Sequence, residues 1–303
     1  MNYEAHVQVG TTLTTHRSPF LLPALALTFN AFVWGVLWWP FRQMQALGLH
    51  PLWCTCLVYA MAVVVIGMAR PGAWAGLRRA PSLWVVVLAS GGTNAAFNWA
   101  VSTGDVVRVV LLFYLMPLWA VLLARWLLNE PITPASIARV ALALAGAAVV
   151  LWPEEGGWPW PRDLPDTLAI IGGLCFALNN VMLRREAGRP NEARALAMFT
   201  GGALVAGTVA ALLGPGNGVP WPSFSTAWFA PALALGAVFL LSNLALQFGA
   251  ARLPAHATAV IMMSEVLFAS VSALALGGGR LNVDLALGGA AIVTAALLAA
   301  RQR

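Results

Sequence analysis

The chain has 303 residues, of which 60% are hydrophobic and 9% are charged, and its formal net charge is +6. A soluble domain carries about a quarter charged residues, and surface-to-volume scaling leaves no soluble fold able to bury this much apolar surface. The composition therefore excludes a soluble protein and predicts one that lies in a lipid bilayer. The basic residues are arginines scattered between apolar stretches, so the sequence predicts no nucleic-acid partner.

Ten apolar stretches are long enough to cross the hydrocarbon core of a bilayer, which takes about 20 residues in a helix. They predict an all-α integral membrane protein with ten transmembrane helices. The predicted spans are 20–41, 51–69, 82–101, 106–128, 134–152, 165–184, 194–213, 226–249, 255–276 and 283–300.

The two halves of the chain share a pattern of polar and aromatic residues. When the second half is moved back along the chain, Asn243 and Gln247 fall on Asn94 and Asn98. Five helices in each half would make the halves insert in opposite orientations, as inverted repeats do in secondary transporters. The predicted organisation is a cytoplasmic N-terminal tail at 1–19, a first five-helix repeat at 20–152, a periplasmic linker at 153–164 and a second five-helix repeat at 165–303.

The arginines indicate how the chain lies in the membrane. Most of them fall in the loops that face the cytoplasm if the N-terminus does, and the exceptions are Arg42, Arg108, Arg162 and Arg280. Because cytoplasmic loops of membrane proteins carry an excess of arginine and lysine, we expect both termini to be cytoplasmic. At the outer start of the fourth span we expect Asp105 and Arg108 to be solvated cap residues, with an outer gate as the alternative.

Two segments carry a family signature. Residues 114–120 read Tyr-Leu-Met-Pro-Leu-Trp-Ala, residues 127–133 read Leu-Leu-Asn-Glu-Pro-Ile-Thr, and residues 263–269 hold a worn copy, Met-Ser-Glu-Val-Leu-Phe-Ala. In these segments and in its ten predicted helices the chain resembles the drug/metabolite transporter superfamily, in its EamA-type exporters. Family members often carry Glu-Pro in the first motif, whereas here the pair is divided between Met116-Pro117 and Glu265-Val266.

Within that superfamily the chain is most similar to the YddG-type aromatic amino-acid exporters. The resemblance implies a multi-pass protein of the bacterial inner membrane that exports amino acids such as Phe, Trp, Tyr, Met or Thr. We therefore expect a secondary transporter for small neutral amino acids, working by alternating access around a midplane cavity. The alternative is a multidrug or other metabolite exporter of the same superfamily, proton-coupled through Glu265.

Other classes of function fit the sequence less well. An intramembrane enzyme needs clustered acids, a histidine pair or a nucleophile with a base, and a channel usually lines its pore with rings of charge or carbonyls. We expect no enzyme activity, no cofactor and no metal site. The expected partners are a small-molecule substrate and the lipid bilayer, and the oligomeric state stays open, with a monomer among the options.

Polar side chains inside the predicted spans mark the candidate binding site, because they are costly in lipid and tend to face the bundle interior or a wet cavity. Amides can donate to a carboxylate and accept from an ammonium group, and aromatic and methionine side chains can surround an apolar one. Each amide could instead only join two helices. The predicted substrate-binding residues are Asn30, Trp34, Asn94, Asn98, Trp99, Tyr114, Asn179, Asn180, Asn243, Gln247, Met262 and Glu265.

Two further residues inside the spans carry specific expectations. Glu265 is the acid placed well inside a span, where burial disfavours its charged form; it could couple transport to protons, contact a substrate ammonium group, or be a protonated or paired packing element. Pro117 removes one backbone hydrogen bond from its helix, so we expect a kink there and a hinge.

Overall fold

Helices form the secondary structure of the computed structural model, which describes residues 21–152, 160–250, 252–253, 261–262 and 264–300; no strand occurs in these ranges. The helices are α1 Leu21–Val36, α2 Trp38–Ala46, α3 Pro51–Ala69, α4 Gly72–Arg79, α5 Leu83–Thr103, α6 Val106–Phe113, α7 Met116–Leu127, α8 Pro134–Leu151, α9 Leu164–Arg185, α10 Asn191–Leu213, α11 Thr226–Ala250, α12 Ser264–Leu276 and α13 Val283–Ala300.

The prediction of an all-α membrane protein is confirmed. Within the described ranges, seven helical segments are long and apolar enough to cross a membrane, and shorter apolar helices lie at Ser264–Leu276 and Val283–Ala295. The count of ten spans stays a prediction. The seven segments are Leu21–Ala46, Pro51–Ala69, Val106–Leu127, Pro134–Leu151, Leu164–Arg185, Asn191–Leu213 and Thr226–Ala250.

Some predicted features lie outside the described residues. These are the N-terminal tail 1–19, residues 153–159 of the linker, and residues 255–260 at the start of the ninth predicted span. The side chain of Gln247 in α11 also lies outside them.

The fourth predicted span is divided into α6 and α7 at Tyr114 and Leu115. The cause is Pro117, which has no backbone N–H to bond the Phe113 carbonyl one turn earlier. That carbonyl lies against Gly173 of α9, where an added Cβ would come within 2.6 Å of the oxygen. The kink expected at Pro117 is therefore present, while its action as a hinge stays a prediction.

Glycines allow the helices to approach closely. A Cβ added to Gly201 of α10 would lie 2.1 Å from the Val87 carbonyl of α5, and one added to Gly146 of α8 would lie 2.6 Å from the Gly288 carbonyl of α13. In lipid, helices associate through such backbone packing, since apolar surface gains little by leaving apolar tails. These contacts make the helices one packed bundle.

Helices in corresponding positions of the two halves pack against corresponding partners, as a two-fold relation between the halves would require. In the first half α1 packs against α11 and α12, and in the second half α9 packs against α5 and against α6 and α7. The helices α3 and α10 pack on one another, and so do α8 and α13. The inverted repeat itself stays a prediction.

We call one end of the bundle the Asp105 end. It holds the loop before α6, the start of α9 and the turn between α12 and α13, which are joined by contacts of Asp105, Arg108 and Arg280. The opposite end holds α4, the turn between α7 and α8, and the turn between α9 and α10. If the termini are cytoplasmic as expected, the Asp105 end is the periplasmic one.

Candidate functional site

A cavity of about 300 Å³ lies where the middle turns of the helices meet. This volume is at the lower bound of small-molecule sites, which span roughly 300–1,000 Å³. Helices α1, α3, α5, α9, α10, α11 and α12 contribute to its wall, together with the break between α6 and α7. The lining residues are Asn30, Trp34, Tyr59, Ser90, Thr93, Asn94, Phe97, Phe113, Tyr114, Met116, Phe176, Asn179, Met198, Phe199, Asn243, Leu246, Met262 and Glu265.

Most of the residues predicted to bind substrate come together in this cavity. Apart from Asn30 and Trp34 of α1 and the neighbouring pair Met262 and Glu265, each is contributed by a different helix or helix break, so the sequence alone could not have shown that they meet. Whether they bind a substrate stays a prediction. The predicted residues that line the cavity are Asn30, Trp34, Asn94, Tyr114, Asn179, Asn243, Met262 and Glu265.

Three predicted site residues lie elsewhere. Asn98 is fully buried and its Nδ2 donates to Thr55 Oγ1 of α3 at 3.1 Å, so it joins two helices. Trp99 packs its ring against His50, with 5.3 Å between centroids, near the Asp105 end.

Asn180, the third of these residues, is exposed. One residue step turns a helix by about 100°, which carries Asn180 away from the face that its neighbour Asn179 presents to the cavity. Four residues advance a helix by roughly 6 Å, which carries Asn98 past the cavity toward the Asp105 end. The expectation that these side chains line the cavity was therefore wrong for the state described here.

A wall of aromatic rings forms one side of the cavity. Trp34 lies between Phe239 and Phe97, with centroid distances of 4.9 and 6.3 Å. Phe97 contacts Phe113 at 4.7 Å, and Phe113 contacts Phe176 at 5.4 Å. The tilted and edge-on arrangements are those that aromatic pairs prefer. The four of these rings that line the cavity come from four helices, and Phe239 of a fifth helix, α11, packs against Trp34, so the large apolar surface is fixed by its own packing.

Tyr59 of α3 is a cavity residue that the sequence interpretation missed. Its hydroxyl donates to Asn94 Oδ1, and Asn94 Nδ2 donates to the Ser90 carbonyl at 2.7 Å. These groups thus hold α3 against α5 at the cavity wall. The signal was present in the sequence, since Tyr59 is one of three tyrosines and lies in the middle of an apolar span.

Two buried amide oxygens at the cavity have no partner among the described residues. Asn30 Nδ2 donates to the carbonyl and the hydroxyl of Ser242, at 2.9 and 2.7 Å, but its Oδ1 accepts nothing there. Asn179 Oδ1 likewise accepts no hydrogen bond from a described residue. Leaving a buried acceptor unpaired costs about 1–3 kcal/mol. Asn98 Oδ1 is also unpaired within the described ranges, but it lies away from the cavity, where a ligand could not reach it.

Glu265 supplies the acid of the cavity. The Tyr114 hydroxyl donates to its Oε2 over a long 3.4 Å, and the described lining contains no arginine or histidine. An ionised carboxylate without a partner is strongly disfavoured in an apolar site. Glu265 must therefore be protonated, hydrated or paired with a cationic group of a ligand.

The position of Glu265 is set by close packing of α12 on α1. A Cβ added to Gly35 of α1 would lie 2.8 Å from the Glu265 carbonyl and 2.7 Å from the Phe268 Cβ. No group of three or more metal-ligating side chains occurs among the described residues.

Charged groups at the Asp105 end bond across the bundle. Asp105 caps α6 by accepting from the Arg108 N–H at 3.0 Å, and it also accepts from the Arg280 N–H at 2.8 Å. The Arg108 guanidinium pairs instead with Asp166 of α9, in two bonds of 2.7 and 2.8 Å, and Asp166 is 1% exposed. The expected cap at Asp105 is present, but solvated arginine at position 108 was a wrong expectation.

A bundle of helices that span a membrane around a central cavity of amides, aromatic rings and one acid has the form of a multi-pass membrane transporter. Residues 21–152 match the model of the EamA-like transporter family. This match over the first half of the chain supports an EamA-type member of the drug/metabolite transporter superfamily, and together with the relatives below it indicates a transporter.

Relatives and a solved structure agree with this assignment. Over 103 residues, 33% of this chain, the sequence is 37% identical to an uncharacterized transporter of Pseudomonas aeruginosa, and the match spans 34% of that relative's length. Over 83% of the chain and 89% of the relative, it is 29% identical to the aromatic amino acid exporter YddG of Ancylobacter novellus. A solved crystal structure superposes with a TM-score of 0.57 over 91% of this chain and 96% of its own, at 22% identity, which shows the fold alone.

Proposed function

We propose that this protein is a secondary transporter that exports neutral amino acids with aromatic or other apolar side chains across the bacterial inner membrane. The observation that carries the proposal is the central cavity, in which an aromatic wall lies beside the acid Glu265 and two amide oxygens that have no partner among the described residues. Similarity to an aromatic amino acid exporter supports the same substrate class.

Each part of a zwitterionic amino acid has a fitting partner in the cavity. The Glu265 carboxylate and the free oxygens of Asn30 and Asn179 can accept from an ammonium group. The Trp34 indole N–H, which donates to no described residue, can donate to a carboxylate. The rings of Trp34 and Phe97 can contact an aromatic or aliphatic side chain without requiring one shape.

We propose alternating access between two inverted repeats, residues 20–152 and 165–303, as the transport mechanism. In support, bonds between the proposed repeats join them at the Asp105 end: the Val106 N–H donates to the Gly278 carbonyl at 3.1 Å, and the Trp38 indole donates to Ser272 at 2.9 Å. The cavity residue Met198 lies in the first turns of α10, toward the opposite end. With cytoplasmic termini, this state would be closed toward the periplasm.

A second candidate function has its own supporting observation. Because Glu265 has no basic partner in the described lining, it could bind a proton and a cationic substrate in turn. That would make the protein a proton-coupled multidrug or metabolite exporter of the same superfamily. The two candidates differ in substrate charge and in their need for a pH gradient.

The test is counterflow into proteoliposomes that contain only this protein. Radiolabelled Phe, Trp, Met and Thr are compared with a cationic dye, with and without a pH gradient. We expect saturable Phe uptake that falls roughly tenfold, equivalent to about 1.4 kcal/mol, in Trp34→Ala, and that is unchanged in the exposed-site control Asn180→Ala. Absence of amino-acid flux, together with pH-driven dye flux that requires Glu265, would reject the first candidate in favour of the second.

A further inference from the structure

A separate apolar groove lies on the outside of the bundle, between α3, α4, α5 and α10. Its volume is about 470 Å³, and it shares no lining residue with the central cavity. Val63 and Val64 of α3 and Leu204 of α10 form its wall, and Trp74 of α4 and Trp84 of α5 line it as well. The exposed surface of the groove is apolar, and Arg78 of α4 borders it.

The short helix α4 forms the part of the groove that Arg78 borders. Its Leu77 is 1% exposed and anchors it to the bundle, whereas Arg78 and Arg79 are exposed. Trp74 lies directly on α3, because a Cβ added to Gly67 would be 2.6 Å from the indole Nε1. The α4 segment therefore lies along the bundle surface with an apolar face inward and its arginines outward, as amphipathic helices at a membrane surface do.

The charge at this end of the groove is uncompensated within the described chain. Residues 51–104 contain three arginines, Arg70, Arg78 and Arg79, and no acidic residue. All three are exposed, and none takes part in an ion pair among the described residues. Glu192, at the start of α10 on the same end, makes no described ion pair with them either. Arg78 thus borders the groove, with Arg79 beside it in the chain and Arg70 just before α4, and none of the three has a described acidic partner.

We propose that this groove binds an anionic phospholipid, with one acyl chain along the apolar wall and the phosphate at Arg78. Basic pockets between transmembrane helices bind anionic headgroups, and arginine and tryptophan are the residues that anchor at this depth. A neutral lipid would leave the three arginines uncompensated, and a free anion would leave the apolar wall empty. The bound lipid would fix α4 against α3 and α10.

Native mass spectrometry of the full-length protein tests this proposal after equilibration with equal amounts of phosphatidylglycerol and phosphatidylcholine. We expect the wild type to retain phosphatidylglycerol in several-fold preference. The preference should be lost both in Arg78→Gln/Arg79→Gln, which removes charge, and in Ala60→Phe, which fills the groove without changing charge. It should persist in Arg185→Gln, which removes an exposed arginine at the same end but outside the groove.

Each variant is used only if it elutes as a single species with a thermal unfolding midpoint near that of the wild type; if Ala60→Phe fails this test, Ala203→Phe replaces it. Equal retention of phosphatidylglycerol by all variants, or equal retention of both lipids by the wild type, would overturn the proposal. So would a dimer that Ala60→Phe dissociates, since a second copy would then cover the groove.

Discussion

The Asp105 end and the central cavity both bury polar side chains, but they differ in how those side chains are satisfied. Asp166 accepts two bonds from Arg108 and a further one from the Arg162 N–H at 2.9 Å. In the cavity, Asn30 and Asn179 keep unpaired oxygens and Glu265 has one long hydrogen bond. Buried polar groups are nearly always paired in native proteins, so groups left open beside a cavity indicate that a ligand or water completes them.

The largest expected effect lies at the Asp105 end. Arg108→Ala leaves the buried Asp166 carboxylate without its bidentate partner, and breaking a buried pair costs about 3–5 kcal/mol. We expect a large fall in the thermal unfolding midpoint in detergent. The control is Arg184→Ala, which removes an ion pair to Glu130 whose arginine is 69% exposed, and such pairs contribute at most about 1 kcal/mol. Equal effects of the two changes would contradict the structural role of the Asp105 end.

The next effect concerns the break between α6 and α7. Gly173→Val places side-chain atoms against the Phe113 carbonyl, and overpacking of this kind costs about 1–3 kcal/mol. We expect lower thermal stability than in Gly188→Ala, where an added Cβ meets nothing within 4 Å. Equal thermal unfolding midpoints of the two variants would contradict a stabilising role for the close contact between α9 and the helix break.

Glu265→Gln should reduce transport and not stability, in contrast to Arg108→Ala. Removing a buried acid that lacks a basic partner leaves stability unchanged or raises it, while substrate binding loses its charge partner. We expect amino-acid counterflow to fall by roughly tenfold or more with an unchanged unfolding midpoint. If flux is retained and the protein unfolds at a lower temperature, Glu265 is a packing element.

The asparagines Asn98 and Asn179 allow the same comparison between a paired and an unpaired buried group, with smaller expected effects. Asn98→Ala removes the bond to Thr55 and should lower stability by about 0.6–2 kcal/mol without changing the apparent affinity for Phe. Asn179→Ala removes no described hydrogen bond, so it should lower the affinity and leave stability nearly unchanged. Measuring both properties for both variants distinguishes an amide that joins helices from one that faces a ligand.

The smallest effect is expected at His50, in the loop before α3. His50 Nδ1 accepts from the Leu52 N–H at 3.2 Å, and burial lowers the pKa of this histidine. Since its folded pKa lies below the unfolded value of about 6.5, the contribution to stability is complete above that pH and is lost as the pH falls below it. We expect the unfolding midpoint between pH 7 and pH 5.5 to fall less in His50→Asn, which keeps a cap acceptor at every pH. An identical fall in both proteins would contradict this assignment.

The sequence predicted the positions of the helices better than it predicted the breaks within them or the direction in which each side chain points. The span 51–69 matches α3, because an apolar run bounded by Pro51 and Arg70 has clear ends. The helix α4 was missed, since its eight residues are too few to cross a membrane and the prediction covered only membrane-spanning helices. The break at Leu37 was not predicted, although Pro40 has no backbone N–H to bond the Val36 carbonyl one turn earlier, which is the same signal as at Pro117.

The candidate site was predicted in outline, because polar residues are rare inside apolar spans and therefore conspicuous. The rotation of each helix could not be predicted, and for this reason Trp99 and Asn180 were assigned to the site together with neighbours that do line the cavity. The pairing of Arg108 with Asp166 joins residues 58 apart in the chain, and local spacing carries no information about such a contact. Unpaired atoms such as Asn30 Oδ1 become visible only when the whole bundle is assembled.

Equilibrium binding of radiolabelled Phe to the purified protein tests most directly whether the central cavity is the substrate site. The two variants to compare are Trp34→Ala, inside the cavity, and Trp99→Ala, which removes an equally large ring near the Asp105 end. We predict that Trp34→Ala weakens Phe binding roughly tenfold, equivalent to about 1.4 kcal/mol, and that Trp99→Ala binds as the wild type does. Wild-type binding in Trp34→Ala together with loss of binding in Trp99→Ala would contradict this account and move the site toward the Asp105 end.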